Sequence, residues 1–145
     1  MSCRLRFTEA ANLAIHACAV IQAGEPGGRF THREIADRLG VSESHLGKVL
    51  QKLVHRGILA SERGAAGGFT LAADPEKLSL LEIIRCAEGK DDRPGCLLGR
   101  PVCERGVCVL SDLSRKVDSL VEDRLGSMTL EEFAGKQLSK RRRRG

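Results

Sequence analysis

Tryptophan and tyrosine are absent from this 145-residue chain, and phenylalanine stands only at positions 7, 30, 69 and 133. Proteins that hold single-stranded nucleic acid stack bases on aromatic side chains, so that mode of binding is not expected. No apolar run reaches transmembrane length, and the first residues lack the pattern of a secretion leader; the expected location is cytoplasmic, away from membranes. The glycine-rich stretch after Arg63 lacks the Lys-Ser/Thr pair of a phosphate-binding loop, no nucleophile stands with a base, and no internal repeat occurs, so an enzyme is not expected. Excess positive charge is missing from the body too. The net charge is +5, but Lys140 and Arg141 to Arg144 carry five positive charges and leave the rest neutral.

What is there is local. Arg29, Arg33, Arg38, Lys48, Lys52 and Arg56 face only Glu34, Asp37 and Glu43 over one short stretch, and His32, His45 and His55 lie among them. A basic stripe of this kind suits the phosphates of duplex DNA. The length predicts one domain, or one with an appended dimerisation arm.

Helical periodicity over 8–23 starts at Thr8 and repeats through Leu13, Ala14, Ala17, Cys18 and Ile21. Thr31 with Glu34, Ser79 with Glu82, and Thr129 with Glu132 have the spacing of capping boxes, in which hydroxyl and carboxylate satisfy the orphan amides of a new helix. Ile58 to Glu62 and Phe69 to Ala72 read as two strands joined by a glycine-rich turn. A charged amphipathic helix is expected over 109–125, with an apolar seam of Leu110, Leu113, Val117, Leu120 and Val121, then a short helix bearing Phe133. The basic end, 140–145, reads as disordered. The fold class is mainly α with a small β-hairpin wing: a winged helix-turn-helix plus a long dimerisation helix.

The reading head spans 31–56. Small Ala36 lets a second helix approach, Gly40 makes the turn, and Leu46 joins the two helices, with Ile35, Leu39 and Val49 inward. Ser42, Ser44, His45, Lys48 and Lys52 then lie outward. Ser44, His45 and Lys48 are placed for base edges, Lys52 and Arg56 for phosphates, and Arg63 at the wing tip for a narrow minor groove.

Cys96, Cys103 and Cys108 occupy a Gly/Pro-rich loop at spacings of six and four intervening residues. Clustered thiols in a reducing compartment point to metal or redox chemistry. Three thiolates suit an iron–sulfur cluster with a weaker fourth ligand. Zinc also accepts three cysteines plus one ligand, although its tight C-x2-C knuckle is missing, and metal-free thiols are the third reading. Cys18 and Cys86 read as core residues, Cys3 as a terminal thiol.

The stretches "EIADRLGVSESHLGKVLQKL", "GILASERGAAGGFTLA" and "LSLLEIIRCAEG", followed by three cysteines and an amphipathic helix, resemble the iron–sulfur winged-helix regulators of the IscR and NsrR (Rrf-two) type over about residues 5–133. The resemblance implies a homodimeric transcription regulator that binds operator DNA. It also implies a 2Fe-2S or 4Fe-4S cluster on Cys96, Cys103 and Cys108, with a fourth ligand that in some members comes from the first helix of the partner subunit. The histidine that IscR-like proteins carry after the third cysteine is missing, and Asn12 stands where NsrR-like proteins have an acidic residue, so Glu9, Asn12 and His16 are the candidate fourth ligands. Gly47 replaces a glutamate common in IscR-like members, so their sequence preference is not carried over. The implied division is a DNA-binding domain over 1–89, a cluster loop over 90–108, a dimerisation and terminal-helix segment over 109–139, and the basic tail over 140–145.

Overall fold

Three helices begin where a hydroxyl and a carboxylate stand three residues apart. In the computed structural model, which describes residues 7–89 and 108–142 (137–142 by backbone only), Thr31 Oγ1 accepts from Glu34 N at 3.2 Å while Glu34 Oε2 accepts from Thr31 N at 2.7 Å. Ser79 and Glu82 repeat the exchange, as do Thr129 and Glu132. Each box meets two amides that no helical carbonyl can reach, a contribution of about 1 kcal/mol.

The described elements run α1 (Glu9–Gln22), α2 (His32–Leu39), α3 (Glu43–His55), β1 (Leu59–Glu62), β2 (Gly68–Leu71), α4 (Leu80–Glu88), α5 (Ser111–Ser127) and α6 (Leu130–Arg142). The strands pair antiparallel, Leu59 opposite Leu71 and Glu62 opposite Gly68. β1 starts one residue later than expected, and β2 lies one residue earlier. Ile58 is held back because its amide donates to Leu53 O, closing α3, and its carbonyl accepts from Ala72 and Ala73.

One core holds these elements. Leu13, Ala17 and Cys18 of α1 meet Ile35, Leu46, Leu50, Leu53 and Ile83, and Leu130 and Ala134 bring α6 into the same cluster. Each fully buried leucine or isoleucine contributes about 2 kcal/mol of burial. Cys86 departs from its expected place: it is only half-buried, on the edge of the core where α4 meets α3.

α6 is longer than the short helix expected and runs to Arg142, into the stretch read as disordered. No proline follows Phe133, Gln137, Leu138 and Lys140 to Arg142 are mostly good helix formers, and cations suit a helix C-terminus. The N-caps of α4 and α6 also pair across the fold: Leu80 N donates to Met128 O at 3.0 Å and Leu130 N to Leu78 O at 2.8 Å. No described helix is long and apolar enough to cross a membrane.

Candidate nucleic-acid interface

The turn between α2 and α3 works because Gly40 takes a φ of 68°, a left-handed conformation that costs a side-chain-bearing residue energy. Its amide and that of Val41 close the end of α2. Ser42 then caps α3, its Oγ accepting from His45 N at 3.4 Å. The outward hydroxyl of Ser42 is thus engaged with the helix it starts.

Beneath this pair Ile35, Leu46 and Leu50 are fully buried, so α3 can turn only its other face outward. That face carries exposed Ser44, His45, Lys48, Lys52 and Arg56. Glu43, Ser44, Lys48 and Gln51 line an open groove of about 800 Å³ together with Gly47, Lys52 and His32.

Two outward residues have partners that spacing did not announce. Lys52 Nζ donates to Ala87 O at 2.7 Å, a cation placed on the last turn of α4. His45 Nε2 stands 3.6 Å from Glu9 Oε2, tying α3 to the start of α1. Lys52 is therefore committed within the free protein, not held out for phosphate alone.

The wing is braced from below. Arg29 pairs with Glu62 at 2.5 Å and donates to Ala66 O at 3.0 Å, so one guanidinium holds both sides of the hairpin tip. Phe30 bridges Phe69 through reciprocal backbone hydrogen bonds of 3.1 and 2.8 Å. A Cβ on Gly67 would stand 2.3 Å from Glu62 O, so the tip closes only with glycine there. Arg63 is exposed at this tip.

Of the loop cysteines, Cys108 is half-buried and free, and its carbonyl accepts from Ser111 N at the entry to α5; Cys96 and Cys103 lie outside the described residues, as does Cys3. Glu9, Asn12 and His16 share one exposed face of α1. Glu9 leans to His45, as described. His16 Nδ1–H donates to Asn12 O at 2.8 Å, with its ring edge-on to Phe133 at 5.8 Å. In a neutral ring that bond puts the proton on Nδ1 and leaves Nε2 the lone pair with which histidine ligates metal. The remaining thiols differ. Burial, reinforced by nearby Cys86, pushes the Cys18 thiol up to about 12. Partial burial raises Cys86 as well, opposed by the positive charges of Arg56 and Lys52.

Comparisons with known proteins agree with this architecture. The profile of Rrf2, described as an iron-dependent transcriptional regulator, matches residues 7–136. The transcriptional regulator IscR of Xenorhabdus nematophila is 28% identical over 134 residues, 92% of this chain and 81% of its own. Among solved structures, IscR of T. potens superposes with a TM-score of 0.72 at 27% identity, covering 92% of this chain and 88% of that one. CymR, the global cysteine regulator of B. subtilis, superposes with a TM-score of 0.75 at 24% identity, covering 91% and 98%.

Proposed function

The chain belongs to the Rrf2 family of transcriptional regulators, which are not enzymes, and from that premise we propose that it binds operator DNA as a homodimer under the control of an iron–sulfur cluster. The observation that carries the DNA reading is the exposed polar face of α3, with Ser44 and Lys48 lining the groove, His45 exposed on the same helix, and the wing braced next to it in the chain. On this reading α3 enters a major groove and Arg63 of each wing a minor groove, while Arg56 meets phosphate. Ser42 and Lys52 act first on the protein itself, as a cap and as a tie to α4, and contact DNA second.

Cys96, Cys103 and Cys108 would hold the cluster, with a fourth donor from α1, where Glu9, Asn12 and His16 stand. The donor set fits the group: three thiols, one of them the free Cys108, and on α1 a carboxylate and an imidazole with a lone pair available. When bound, the cluster supplies a redox-sensitive centre with one exchangeable ligand. The protein's part is to convert its gain or loss into two states of different DNA affinity. Cys108 opens the turn that leads into α5, so a change at that thiol is passed to the helix with the apolar seam, the proposed dimer contact.

Anaerobic purification followed by a visible spectrum, metal analysis and DNA binding tests this. Iron with visible absorbance, and DNA affinity that changes when the colour is bleached, is the expected outcome. Zinc without a visible band would make the loop a structural staple, and a metal-free protein whose DNA binding follows thiol oxidation would replace the cluster with the cysteines themselves. Unchanged control in Cys96→Ser would give regulation to a protein partner.

A further inference from the structure

The DNA-facing groove has a feature that α3 alone does not supply. Residue 47, in the middle of the outward face of α3, is glycine, and the space a side chain would take is filled by an imidazole from the preceding helix. A Cβ built on Gly47 would stand 3.2 Å from Cε1 and 3.7 Å from Nε2 of His32. The same ring lies edge-on to Phe69 of β2, with centroids 6.4 Å apart. His32 thus touches α3 and the wing at once, at the point where the two must keep a fixed spacing on a duplex.

Its Nε2 is buried and has no hydrogen-bond partner. A buried polar atom without a partner is destabilising, and native structures rarely retain one without a use. Around it the groove is lined by Glu43, Ser44, Lys48 and Gln51, of which Ser44 and Lys48 face DNA in the functional reading above. Lys48 and Gln51, both with long side chains, line the same groove as the ring.

Resting on that DNA-binding reading, we propose that His32 is a DNA-contacting residue: its Nε2–H donates to a hydrogen-bond acceptor of the duplex, from the space that a side chain at Gly47 would fill. The acceptor is a phosphate oxygen or a base edge. The recognition surface is then composite, with α2 contributing the side chain that α3 omits.

The test uses the anaerobically purified protein, a duplex enriched from a random pool by the wild type, and unenriched random duplex of equal length. His32→Leu keeps the apolar packing on Phe69 but has no donor. It should lose about tenfold in affinity for the enriched duplex, the size of one hydrogen bond, without a lower melting temperature. His32→Gln, which keeps a donor, should recover part of the loss. Gly47→Ala should weaken binding by displacing the ring, and adding it to His32→Ala should do little more harm, because the two changes act on one contact. Equal losses on both duplexes make the acceptor a phosphate; loss on the enriched duplex alone makes it a base edge. His32→Leu binding like wild type, or losing affinity only in step with stability, overturns the assignment and leaves the DNA reading intact. A wild type that enriches no duplex overturns both.

Discussion

Cys18 shows how far burial can remove a thiol from chemistry. It has no exposed surface in the core, and its pKa is pushed from 9.0 to about 12 by lost hydration, with Cys86 adding to the effect. The sign follows from linkage. The unfolded thiol ionises first, so the stability that Cys18 contributes is complete below pH 9.0 and is lost as the pH rises toward 12. By about pH 10 the loss reaches roughly 1.4 kcal/mol, one unit's worth of differential ionisation. Urea unfolding with reductant present, compared at neutral and alkaline pH, should show wild type losing that much more than Cys18→Ala; parallel losses would mean the thiol is not held neutral. Glu34 moves the opposite way, its carboxyl lowered by the Thr31 amide and hydroxyl it receives.

Among the elements, those with local signals were legible in the sequence. Thr31, Ser79 and Thr129 each find their glutamate within one turn, so spacing alone announces the start of α2, α4 and α6, and the outward face of α3 follows from its buried Leu46, Val49 and Leu53. The ties between elements were not legible, because long side chains reach partners that no spacing encodes. Arg29 meets Ala66, Lys52 meets Ala87, and Thr8 N donates to Glu88 across 80 positions. The end of α6 was missed for a different reason: a basic tail looks like solvated coil unless the helix before it has no stop signal. The wing tests element-scale reasoning most directly. Gly67→Ala places a methyl against Glu62 O and must reopen the tip, whereas a Cβ on Gly135 of α6 meets open space. Gly67→Ala is expected to weaken DNA binding about tenfold, one contact's worth, with a small change in melting. Gly135→Ala should leave binding alone and stabilise by about 0.5–1 kcal/mol. Full DNA affinity in the wing variant, measured by fluorescence anisotropy, would remove the wing from the interface.

The whole molecule leaves apolar surface uncovered along α5: Leu113 is 51% and Leu120 71% exposed, with Val109 at 94% just before it. A seam of this kind on a charged helix suits a second copy of the same helix, which would bury each leucine for about 2 kcal/mol. Sedimentation of wild type should report a dimer, and Leu113→Asp with Leu120→Asp a folded monomer; a wild type that sediments as a monomer at micromolar concentration would refute the pairing. The same helix is fastened unevenly. Its last turns are held to α4 by the Arg85–Glu122 pair at 3.6 Å and by the Leu80 to Met128 hydrogen bond, while the turn that leads into its first residues starts at Cys108, whose carbonyl accepts from Ser111 N. Moved as a rigid arm, α5 would pivot at its α4 end. Its 17 residues make an arm of about 25 Å, on which a tilt of about 5° displaces the far tip by roughly 2 Å. On the proposed control by the loop cysteines, a weak push at Cys108 would reach α4 as a smaller motion with a larger force, and the hydrogen bond from Lys52 to Ala87 O would pass it on to α3.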